Sequence, residues 1–144
     1  MPTVNAYLAF EGNCDVVFNF YKSVFGGEFS SLNRFGEMPR QEGAPPLSEE
    51  MKNRIMHVGL PISAETVLMG SDTMPGMSPN LTIGNNFAVS LGVNSKEEAD
   101  KLFAALSAGG KVTMPLEVTF WGAYFGMWTD QFGINWMLNY DLPR

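Results

Sequence analysis

Val4-Asn5-Ala6-Tyr7-Leu8-Ala9-Phe10 sets apolar positions in alternation, the period of a half-buried strand. The period then changes. Val16, Val17, Phe20, Tyr21, Val24 and Phe25 recur at helical spacing and make an apolar stripe. Asn13 stands where an N-cap is expected, and Gly26-Gly27 can take the left-handed backbone that ends a helix. The same order of events returns later in the chain. Phe87-Ala88-Val89-Ser90-Leu91-Gly92-Val93 opens a second strand, and the helical stretch after it closes at Gly109-Gly110. Phe87 follows Val4, and Gly109 follows Gly26, by the same 83 residues. Two copies of one small α+β unit are expected, and a cleft shared by them is the natural place to look for function.

Outward from these anchors, Glu28 to Phe35 reads as a short strand. Residues 36–50, rich in Gly, Pro and Glu and broken by Pro45-Pro46, read as a loop without regular structure, either a lid or a plain surface excursion. Arg54 to Ile62 and Thr66 to Met69 resume strand character around a Ser63-Ala64-Glu65 turn. Residues 71–86, with Pro75, Gly76, Pro79 and Gly84, connect the halves. In the second half Ser95 precedes Glu98 by the spacing of a capping box. Ala99, Leu102, Phe103 and Leu106 form the buried stripe of that helix, while Lys96, Glu97, Asp100 and Lys101 face water. Strands follow at Lys111–Met114, Gly122–Thr129 and Asn135–Tyr140, the last two joined by Asp130-Gln131-Phe132-Gly133. Each half therefore reads as strand, helix and three strands, over residues 3–72 and 86–141.

Composition sets limits. The chain has 144 residues and is 45% hydrophobic, with 11 Phe, 10 Met and 3 Trp, enough for a sizeable core. Fifteen acidic against nine basic residues give a formal charge of −6, and the Lys and Arg are scattered, which argues against a nucleic-acid partner. The single cysteine, Cys14, excludes an intramolecular disulfide, and with no basic neighbour it reads as buried rather than reactive. No stretch reaches the length of a membrane span and no signal peptide is visible, so the expected location is cytoplasmic. The sequon Asn80-Leu81-Thr82 carries little weight in that setting.

Several separated motifs resemble one family. Phe18-Asn19-Phe20-Tyr21-Lys22-Ser23-Val24-Phe25-Gly26-Gly27 is similar to the signature of PhnB-like proteins, a branch of the vicinal oxygen chelate (glyoxalase/bleomycin resistance) superfamily. Met56-His57-Val58, Leu68-Met69-Gly70-Ser71-Asp72, and Trp121-Gly122 through Trp136-Met137-Leu138-Asn139 resemble its central and C-terminal segments. The resemblance implies paired βαβββ modules forming a cupped mixed sheet with helices outside, and a homodimer. The branch is also labelled as resembling 3-demethylubiquinone 3-methyltransferase. This chain has neither room for a doubly wound methyltransferase domain nor a glycine-rich cofactor loop.

Metal-using members of that superfamily hold a divalent ion with His, Gln and Glu side chains inside the cup. One such ligand is commonly a Glu in the last strand, and its position here matches Met137. The first strands offer Asn5, Tyr7, Ala88 and Ser90, a poor ligand set, and the chain has one histidine. No metal ligand is assigned and no cofactor is named. Glu65, Asp72, Glu117 and Asp130 fall near turns, where capping or exposure accounts for them. His57 is the candidate catalytic residue, as a general base or hydrogen-bond donor, with a structural histidine as the alternative. Arg34, Arg40 and Arg54 read as solvated charges before anion ligands. Asn5, Tyr7, Trp121, Trp128 and Met137 are candidate ligand-binding residues. Tyr7 lies opposite the parity of the apolar set and Trp121 at a strand entrance; Trp128 and Trp136 also suit a core or an interface. The expected function is action on, or binding of, a small oxygenated or planar metabolite, by a lyase- or isomerase-type enzyme with a degenerate metal site. A metal-free binding or sequestering protein without turnover is the alternative.

Overall fold

The computed structural model describes residues 2–39, 43, 46–76 and 79–143; the expectations for Arg40 and Pro45 fall outside these. The chain divides into two units, Met1–Thr82 and Ile83–Arg144. The first contains β1 (Tyr7–Phe10), α1 (Cys14–Phe25), β2 (Ser31–Arg34), α2 (Glu49–Asn53), β3 (Ile55–Pro61) and β4 (Val67–Asp72). Its sheet has the order β1-β4-β3-β2. β1 runs parallel to β4, which requires a crossover, and α1 lies within it.

Leu8 and Phe10 turn toward the helix and are buried, while Tyr7 and Ala9 face the other way. The helix answers with Cys14, Val17, Phe18 and Tyr21, all fully buried. Val16, expected in the stripe, is 59% exposed. Phe18 takes the buried place instead, because Gly70 in β4 leaves room for its ring. A Cβ on Gly70 would meet that ring at 2.6 Å and the Leu8 carbonyl oxygen at 2.9 Å. Gly26 and Gly27 both have φ of 80°, as the helix stop requires.

Asn13 occupies the N-cap position, but its side chain makes no cap hydrogen bond. The orphan donors turn to Asp72, sixty residues on. Its Oδ1 accepts from the Gly12 and Cys14 N–H groups at 2.8 and 3.0 Å, and its Oδ2 from Ile55 N–H at 2.8 Å. This buried carboxylate ties the start of α1 to the start of β3.

The described residues of segment 36–50 include regular structure that its composition does not suggest. A 3₁₀ turn covers Phe35–Glu37, and α2 begins after Ser48, whose Oγ accepts from Met51 N–H at 3.2 Å.

The second unit contains β5 (Val89–Gly92), α3 (Lys96–Ser107), β6 (Lys111–Val118), β7 (Ala123–Thr129) and β8 (Asn135–Asp141). Its strand order, β5-β8-β7-β6, repeats that of the first. Both sheets are mixed, so the α+β class holds, with two four-stranded sheets. Ser95 Oγ accepts from Glu98 N–H at 3.1 Å, while the Glu98 carboxylate takes the N–H of Asn94 rather than that of Ser95. Trp128 and Trp136 stack at 6.1 Å with 5° between planes, and Phe103 meets Trp128 edge-on. Asp130, also buried, accepts from the N–H groups of Phe132 and Ile134 and from Trp136 Nε1 at 2.9 Å. β6 runs beyond its expected end through a bulge at Pro115, which an edge strand tolerates.

Candidate functional site

In the first sheet, strand parity sorts the side chains. Val58 and Leu60 of β3 lie on the α1 side with Leu68 and Gly70 of β4. A register shift at Asn33/Arg34 gives β3 one extra residue, Met56, so Ile55 also turns toward the helix. His57, next to Val58, points away from the helix by plain alternation, in register with Asn33 on one side. Tyr7, from β1, reaches across β4 on that same face. Its hydroxyl lies 3.4 Å from His57 Nδ1, and the rings are 5.7 Å apart between centroids. Tyr7 is 51% exposed and His57 half-buried.

The contact is longer than a typical O–H···N bond, so the two groups are neighbours rather than a locked pair. With Nδ1 unprotonated the Tyr7 hydroxyl donates to it, and the ring proton sits on Nε2. Among the described residues no carboxylate bonds the imidazole. A base oriented by a third group is therefore missing from this arrangement. What remains is a hydroxyl and an imidazole side by side over Ala9, Met69 and Ser71, suited to hydrogen-bonding an oxygenated molecule.

Asn5 lies just before β1, and its Oδ1 accepts from Val67 N–H at 2.9 Å. That bond extends the β1–β4 pairing and occupies the amide oxygen with backbone.

In the second sheet Trp128 lies on the α3 side, 1% exposed, with Trp136 and Leu138. A ligand on the opposite face does not reach it, which corrects its expected role in ligand binding. The reason is parity: Gly126 and Trp128 alternate with Phe125 and Met127, and α3 covers the first pair through Phe103. Met137 does lie on the face away from α3. There Ser90, Met137, Met127 and Met114 form one cross-strand row, and Gly92, Asn139, Phe125 and Glu117 the next. Trp121, in the β6–β7 turn and 56% exposed, packs edge-on to Phe125 at 5.9 Å. The thioether row escaped the sequence reading; the alternation within Ala123–Thr129 was the available signal.

Among the described residues no three His, Cys, Asp or Glu side chains are grouped to hold a metal ion. The donors present do not fit the divalent ion used elsewhere in the superfamily. Cys14 is no substitute, since burial, reinforced by Asp72 and Asp15, pushes its thiol far above the ordinary range. Tyr124, near the start of β7, is also raised, because its hydroxyl donates to Asp100 of α3 at 2.5 Å. No described helix is long and apolar enough to cross a membrane.

With the repeated α+β unit and the helix-free faces described, comparison with known proteins places the chain. It belongs to the Glyoxalase/Bleomycin resistance protein/Dioxygenase superfamily, whose family profile matches residues 3–138. Protein YjdN of Escherichia coli (strain K12) is 33% identical over 144 residues, covering 96% of this chain and 95% of that protein. The crystal structure of protein PA1353 from Pseudomonas aeruginosa is 39% identical with a TM-score of 0.82, covering 99% of this chain and 100% of that one. The PhnB protein from Bacillus cereus shares the fold at 24% identity and a TM-score of 0.73, over 96% and 99% of the two chains.

Proposed function

We propose that this chain binds a small oxygenated, planar molecule without a protein-bound metal, and that Tyr7 and His57 supply its polar contacts. The observation that carries the reading is the Tyr7 hydroxyl 3.4 Å from His57 Nδ1 on a sheet face left uncovered by α1. Among the described residues no three His, Cys, Asp or Glu side chains group as metal donors, and this favours binding over metal-assisted turnover. The Tyr7 and His57 rings, 5.7 Å apart between centroids, support a planar partner, since aromatic faces and edges adapt to flat rings. Family membership supports a small-molecule role in general terms.

The test is a ligand-observed NMR screen of aromatic ketones and hydroxy acids, followed by titration of the best hit. Tyr7→Phe and His57→Gln should each weaken that hit by about tenfold while leaving the melting temperature within about 2 °C. Equal affinity in both variants defeats the reading. Added nickel, zinc, manganese and ferrous ions should leave the melting temperature unchanged, and a rise with one ion would restore the metalloenzyme.

A second reading keeps His57 as a general base, favoured by its half-buried place on the face away from α1 with only a long contact to Tyr7. It requires turnover that is abolished in His57→Gln but retained in Tyr7→Phe.

A further inference from the structure

On the other side of the first sheet, between α1 and the edge strand β2, lies a cavity of about 200 Å³. Its walls are apolar: Phe18, Phe29, Leu32, Ile55 and Val58, with the neutral thiol of Cys14. Asp15, Asn19 and Arg34 line it as well. These three polar groups are not equivalent. Asp15 Oδ1 accepts from Val16 N–H at 2.8 Å and lies in the first turn of α1, where the helix dipole favours its charge. The Asn19 amide donates to the Asp15 carbonyl oxygen. Arg34 is different. One guanidinium nitrogen donates to the Asn53 carbonyl oxygen, and among the described residues no carboxylate pairs with it. A half-buried cation with open N–H groups therefore borders an apolar hollow.

We propose that this cavity binds a small carboxylate with a single-ring or branched apolar body, its carboxylate paired with Arg34. The size fits: an apolar cavity of about 150 Å³ takes up benzene. The charge fits, because a planar guanidinium matches a carboxylate in two-point hydrogen bonding. The site is separate from the Tyr7–His57 face, since Ile55 and Val58 point to the opposite side of the sheet from His57. It goes beyond the function proposed above and can fail independently of it.

Benzoate is the probe, with benzamide and toluene as neutral comparators of the same body, followed by amide and methyl NMR on the intact chain. Benzoate should shift Ile55, Val58 and Leu32 signals with a Kd on the order of a millimolar. Benzamide should bind about tenfold more weakly. Arg34→Met should cost benzoate about tenfold and leave toluene unchanged. Leu32→Trp, which fills the cavity from a partly exposed position, should block all three probes. Tyr7→Phe should alter none of them. The proposal is overturned if benzoate at about 10 mM shifts none of those lining residues. Benzamide or the Arg34→Met variant matching wild-type benzoate affinity overturns it too, as does benzoate binding that survives Leu32→Trp or vanishes in Tyr7→Phe.

Discussion

Trp128 and Trp136 share one stack but not one set of obligations. Trp136 Nε1 donates to Asp130, whereas Trp128 Nε1 is buried with no acceptor among the described residues. Replacing either ring by Phe removes similar apolar area, yet only Trp136→Phe deprives a buried carboxylate of a donor. Trp136→Phe should therefore be more destabilising than Trp128→Phe by about 1–2 kcal/mol in urea unfolding. Asp72 plays the corresponding part in the first unit. Asp72→Asn turns an amide NH₂ or a weaker acceptor toward three N–H donors, and should cost about 2–4 kcal/mol by the same measurement. Cys14 gives a pH signature. Burial raises its folded-state pKa, so its contribution is complete below the ordinary value of 9.0. Above that pH the unfolded chain loses the proton and the folded chain keeps it. Stability should fall by at most about 1.4 kcal/mol per pH unit there, and the Cys14→Ala variant should lack that part of the slope.

Among the elements, the β3–β4 pair and α1 show what sequence carries and what it does not. Gly70 is legible as a glycine in a strand, but its purpose is visible only once Phe18 lies over it. Gly70→Ala should lower the melting temperature by several degrees, about 2 kcal/mol, because backbone as well as ring must shift. The strand–helix–glycine order was readable from period and stop signals, since those are local. The face of α1 was not fully readable: Val16 and Phe18 are both apolar and two residues apart, and only the sheet beneath decides between them. Ser48-Glu49-Glu50 did carry a local helix start, hidden by the proline-rich segment before it. Tyr7 was assigned to its face by simple alternation. His57 shares that face by alternating with Val58, whereas Ile55 joins the helix side through the register shift at Asn33/Arg34, which no periodicity announces. For Trp128 a ligand contact and a core place both stood open, because an aromatic run shows no parity until β7 is paired; the α3 side holds it. Asp72 and Asp130, expected to be exposed or locally capping near turns, are both buried; Asp130 does cap its own turn, but Asp72 serves donors at Gly12, Cys14 and Ile55 that no local pattern reveals.

Across the whole molecule, both units use one wiring diagram: the first strand of each is hydrogen-bonded to its last. Neither sheet can be assembled from a leading portion alone. A fragment ending at Leu60 contains β1, α1, β2 and most of β3, but lacks the strand between β1 and β3. It should show poor amide dispersion and low far-UV ellipticity, whereas a fragment ending at Thr82 should gain both; native-like spectra from the shorter piece would contradict the pairing. During synthesis on the ribosome, Tyr7 to Phe10 must wait for residues 67 to 72 to leave the exit tunnel. The amino-terminal strand thus spends the making of some sixty following residues as an unmatched ribbon, the interval in which a nascent chain is most open to chaperones and to mispairing with its neighbours.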